Sequence, residues 1–143
     1  MVLNRAQSRL YVAVGNADSL VIIDTGTDTV VGGGNVSAPL GIFGGQGAGA
    51  IPKGSNPNSV SLSRDERTAF VTNGGTNDVA VVRLGPGRPR VLGLIPTGWQ
   101  PNSVSVSPDG STLYVVNGKS NPCANPLNCR FIKAEENIGV FMC

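Results

Sequence analysis

Short apolar runs, broken every few residues by Gly, Pro and Asn, run the length of this chain. Ser59 to Ser63 alternates small polar with apolar residues at a period of two, the pattern of a half-buried strand. Leu113 to Val116 is β-branched and aromatic and predicts a second strand. Val79 to Leu84 predicts a third, and Arg90 to Ile95 a fourth that stops at Pro96 and Gly98. Leu20 to Ile23 and Val79 to Val82 are apolar on both faces, which predicts a sheet covered on both sides. The only hint of helical spacing is the short stretch from Ile132 to Glu136.

The breaks carry turn chemistry. In Ser107-Pro108-Asp109-Gly110 the proline presets φ and the glycine accepts a positive φ. Asn73-Gly74 and Asn117-Gly118 read as two-residue hairpin turns.

The pattern repeats. Pro57-Asn58-Ser59-Val60-Ser61-Leu62-Ser63 returns as Pro101-Asn102-Ser103-Val104-Ser105-Val106-Ser107, a step of 44 from Pro57 to Pro101. Ala69-Phe70-Val71-Thr72-Asn73-Gly74 returns at the same step as Leu113-Tyr114-Val115-Val116-Asn117-Gly118. An earlier copy, Leu10-Tyr11-Val12-Ala13, lies a step of 59 before Ala69 to Thr72, and the extra length falls between Gly32 and Pro57. Four strands in each repeat of roughly 40–45 residues is the arithmetic of a β-propeller blade. The coils of a parallel β-helix are shorter and lack this hairpin chemistry. The expected fold class is therefore all-β, a partial β-propeller of about three four-stranded antiparallel blades that do not close. Residues 1–56 form an incomplete blade plus a Gly-rich inter-blade insertion, 57–100 a complete blade, and 101–143 an incomplete blade with a Cys-containing insertion.

Propellers have about 4–8 blades, and the chain of 143 residues is shorter than four units of this size. An unclosed stack exposes sheet faces and edges. The expectation is a fragment, or one piece of a larger assembly; a small β-domain that closes in another way is the competing reading.

Phe70-Val71-Thr72-Asn73 and Tyr114-Val115-Val116-Asn117, each after a Ser-x-Asp-x turn, resemble the YVTN family of bacterial β-propellers. Ser19 to Thr25 and Val79 to Val82 resemble that family's next strand, and Thr29 to Gly32 the one after; Val14 departs from the motif where it has Asn. The run Val91 to Pro101 with Tyr114 to Lys119 is similar to the propeller of bacterial proteins that join such repeats to an alkaline-phosphatase-like phosphoesterase domain. The resemblance implies export to a bacterial periplasm or beyond. It carries no catalytic residue across.

Composition narrows the chemistry. There is no histidine, which removes Ser-His-Asp and Cys-His catalysis and His-containing zinc sites. Charged residues are 14% and the net charge is +2 with no basic cluster, so a nucleic-acid footprint is lacking. No apolar run approaches the ~18 residues of a membrane span. Cys123 and Cys129 flank a Pro/Asn-rich loop, with Cys143 last; a small disulfide loop and unpaired thiols are both open readings, and zinc lacks a fourth ligand. Gly44-Gly45-Gln46-Gly47-Ala48-Gly49 fits no phosphate-binding motif and reads as a loop. Asp65, Asp78 and Asp109 read as turn residues and Arg88 and Arg90 as a solvated loop pair; Trp99 reads either as lining a surface groove or, the preferred reading, as packed beneath an inter-blade loop. No catalytic, cofactor or metal-binding residue is expected. Three functions remain: a non-catalytic binding or scaffold module, a truncated part of a metal-dependent phosphoesterase whose enzyme domain lies elsewhere, or a self-assembling structural β-protein. The expected partners are the rest of the propeller or other chains of an assembly.

Overall fold

The computed structural model describes residues 1–37 and 54–119. Ten strands run in chain order: β1 (Val2–Leu3), β2 (Arg9–Val14), β3 (Ser19–Asp24), β4 (Thr29–Asn35), β5 (Pro57–Leu62), β6 (Thr68–Asn73), β7 (Asp78–Arg83), β8 (Arg90–Pro96), β9 (Pro101–Val106) and β10 (Leu113–Asn117). The described residues contain no α-helix, only a single 3-10 turn at Gly15–Ala17. The strands form three antiparallel meanders, β1-β2-β3-β4, β5-β6-β7-β8 and β9-β10, here called sheets A, B and C. No sheet closes on itself. The architecture is the expected all-β partial propeller.

The repeat reaches atomic detail. The turn from the first to the second strand of each sheet closes on one backbone bond: Asn4 N to Arg9 O (3.0 Å), Ser63 N to Thr68 O (2.8 Å), Ser107 N to Thr112 O (2.9 Å). The residue in left-handed conformation is Gln7, Glu66 or Gly110. Only the third copy uses the glycine that such a φ favours. Inside two of these turns an aspartate replaces backbone partners. Asp65 Oδ1 accepts from the Ser63 hydroxyl (2.6 Å) and Arg67 N (3.1 Å); Asp109 Oδ1 accepts from the Ser107 hydroxyl and from Ser111 N (3.1 Å). Both are turn residues, as expected. Asp78 is not. It opens β7, is 6% exposed, and accepts from Asn73 Nδ2 at 2.8 Å. Arg90 likewise belongs to a strand, β8, rather than to the loop that holds Arg88.

The sheets stack face to face. Val71, Ala69, Ala80 and Val82 of sheet B are at most 1% exposed and pack with Tyr11 and Leu20 of sheet A. β9 lies against β5 and β6. In β7, Val79 and Ala80 on opposite faces are both fully buried, so sheet B is covered on both sides. β3 behaves differently. Leu20 is fully buried and Ile22, on the same face, packs against the core, but Val21 and Ile23 on the other face remain half-buried. Among the described residues nothing covers the outer side of sheet A. The two-sided apolar pattern is the same in both strands, and only the neighbour differs.

Candidate functional site

The second-to-third-strand turns and the inter-sheet connections gather at one end of the stack. Asn73-Gly74 does not form a two-residue turn. β6 ends at Asn73, residues 74–77 turn, and the left-handed residue is Asn77 (φ 61°). Gly74 and Gly75 are needed for a different reason. A methyl group on Gly75 would overlap the Gly54 carbonyl outright. That closeness lets the incoming connection bond to the turn after β6: Gly74 N donates to Asn56 O (3.1 Å) and Gly75 N to Ser55 O (2.9 Å). One repeat later, Gly118 N donates to Gln100 O (2.7 Å) and Lys119 N to Trp99 O (3.2 Å).

Side chains lock these connections. The Asp18 carboxylate, 6% exposed, accepts from Gly54 N (2.8 Å) and Asn56 N (2.9 Å). Asn77, a step of 59 later, accepts from Gln100 N through Oδ1 (2.9 Å). Neither role was visible in motif terms, although both residues occupy the same place in the repeat. The buried Asn73 donates to Val36 O (3.0 Å) and so ties sheet B to the strand exit of sheet A. Its Oδ1 has no partner. At the inner edge, register slips between Pro57 and Ser59 and between Val116 and Asn117, leaving Asn58 and Asn102 outside the ladder. Such a bulge re-aims its side chain, and Asn58 Nδ2 donates to Pro101 O (2.9 Å) of the next sheet.

Between sheets B and C these connections enclose a groove of about 360 Å³. Asn56, Gly74 and Gly75 form one wall, Trp99, Gln100 and Lys119 the other, and Asn77 the junction. Trp99 is not packed under a loop; it is 41% exposed and lines the groove. No Asp or Glu is among the lining residues, so Lys119 sets the local charge. A larger groove of about 660 Å³ lies at the outer edge, between β4 and the Gly87-Arg88 loop. It is lined mainly by strand backbone and aliphatic side chains, and offers one charged group and no aromatic ring.

Cys123, Cys129 and Cys143 lie outside the described residues, as do Gly44 to Gly49, Ile132 to Glu136 and the blade boundary expected at the chain's end. Among the described residues no group of three or more metal-ligating side chains comes together, and no helix is long and apolar enough to cross a membrane.

No protein-family model and no curated protein matches the chain. Solved structures do. Hydrazine synthase from Kuenenia stuttgartiensis superposes with a TM-score of 0.64 at 21% identity, covering 82% of this chain and 28% of that one. A protein from Lactobacillus plantarum gives 0.63 at 21% identity, covering 81% and 33%. The periplasmic gluconolactonase of Pseudomonas aeruginosa gives 0.54 at 22% identity, covering 80% and 32%. The chain thus spans about a third of the length of each of these. At such identities the likeness speaks for the fold alone, and that fold is the β-propeller, of which the three stacked sheets form a part.

Proposed function

We propose that this chain is a non-catalytic binding or scaffold module of the YVTN-repeat kind, forming part of a larger exported bacterial propeller. The supporting observation is that the A–B and B–C junctions repeat a similar bond set: a carboxylate or amide at Asp18 or Asn77 accepts from the connection, and two successive backbone N–H groups, of Gly74-Gly75 or Gly118-Lys119, donate to it. Such a device joins sheets in series. The open apolar faces of sheets A and C fit partners that continue the series, either the remainder of the propeller or other chains. Location in the periplasm or beyond rests on the resemblance and on a periplasmic protein among the structural neighbours.

A second reading makes the chain the propeller part of a two-domain, metal-dependent phosphoesterase. It is favoured by the run Val91 to Pro101 with Tyr114 to Lys119, and it places the chemistry outside these residues. In-frame coding sequence after Cys143 separates the two. Both readings expect the purified chain to associate or to melt gradually in urea, and to hydrolyse neither phosphate esters nor lactones. A monomer with one sharp cooperative transition overturns the partial-propeller assembly; turnover of either ester class overturns the non-catalytic role.

A further inference from the structure

We infer that the groove between Trp99 and Lys119 binds a single anionic saccharide, a sugar ring bearing a carboxylate or a phosphate. The inference deepens the binding-module reading and rests on it. Four features carry it. Trp99 exposes 41% of its surface where the loops are otherwise polar, and an exposed indole face is a flat platform for the C–H face of a sugar ring. Asn77 spends its Oδ1 on Gln100 N, so its NH2 group, with no acceptor among the described residues, serves as a donor for ring hydroxyls. Lys119 is the charged group in the lining, and the lack of a carboxylate there favours an anion over a cation. The open groove, about 360 Å³, is at the small end for ligand sites and matches about one sugar ring. A stacked nucleic-acid base would need the basic stripe that a chain of net charge +2 lacks.

Trp99 is the only tryptophan of the chain, so its fluorescence reads this groove directly. The full chain is titrated with glucuronate, glucose 6-phosphate, glucose and inorganic phosphate. The expected result is a saturable change with at least one charged sugar, binding about fivefold weaker with neutral glucose, and no saturable change with phosphate. The fivefold step is the loss of one exposed ion pair. Glucuronate and glucose 6-phosphate compared with each other identify the anionic group. Lys119→Gln lowers the charged-sugar affinity about fivefold and leaves glucose unchanged. Trp99→Ala, followed by calorimetry, abolishes binding, while Trp99→Phe retains it. No saturable change with either charged sugar overturns the inference. So does glucose binding as tightly as both, or phosphate binding as tightly as either, which would mark an adventitious ion only. Amide exchange protection across β5–β9 shows whether the sheets are stacked. Protection without binding sinks the ligand inference and leaves the propeller reading intact; loss of protection sinks both.

Discussion

At the scale of single residues, the inter-sheet junctions depend on a few polar side chains more than on apolar ones. Asp18 satisfies two backbone donors from a nearly buried position. Asp18→Ala leaves both without their acceptor, and opening of the Gly54–Asn56 connection should become easier by about 1.5–3 kcal/mol, read by amide hydrogen exchange. Asp18→Asn should lose about half as much, because Gly54 N and Asn56 N use different carboxylate oxygens and an amide keeps only one acceptor; Asn also tolerates the φ of 48° found at position 18. The turn aspartates report pH. The Ser107 hydroxyl first, then Ser111 N and the Ser111 hydroxyl, hold the Asp109 carboxyl down to about 2. A depressed folded pKa stabilises above the unfolded value of 3.8 and is lost as pH falls through about 2. The Asp109 carboxyl resonance should therefore titrate near 2, and Ser107→Ala should move it upward toward 3.8. A titration near 3.8 in the unaltered chain would show the turn bonds absent in solution.

At the scale of elements, the glycines after β6 and β10 show how one sequence signal serves two ends. Asn-Gly suggested a tight hairpin, yet the geometry spends Gly75 on backbone contact with Gly54. At Gly118 the atom in the way is the Asn102 amide, the end of a movable side chain. Gly75→Ala is thus expected to pull the connection off β6 and remove exchange protection at Gly74 and Gly75. Gly118→Ala should leave protection in β9 and β10 nearly unchanged. Equal effects would mean the Gly54 backbone does not approach as described. The strands themselves, by contrast, were legible nearly to their ends. Ser59–Ser63, Leu113–Val116 and Arg90–Ile95 each fall within a residue or two of β5, β10 and β8. Their period-two and β-branched patterns are local properties that sheet pairing only has to respect.

At the scale of the whole molecule, burial is uneven because the stack has ends. Leu20 is fully buried between sheets A and B, and Leu20→Ala should cost about 2–5 kcal/mol, measured as faster exchange of the Val71 amide. Tyr114 and Val116 are 58% and 61% exposed, although their counterparts in β6, Phe70 and Thr72, lie under β9. Exposed apolar area of this kind promotes association. Scattering should rise with protein concentration, and Tyr114→Lys with Val116→Lys should suppress that rise while leaving the A–B core protected. Association unchanged by the pair of lysines would assign it to another surface.

The sequence alone determined that the chain is an all-β series of repeated antiparallel units and that it carries no histidine, because periodicity, turn residues and composition are written locally. The tertiary structure alone decided which apolar faces are covered, that Asp18, Asn77 and Asn58 bind across sheets, and that Trp99 lines a groove with Lys119. Those facts depend on which segments meet in space, and residues far apart in sequence leave no periodic trace of the meeting.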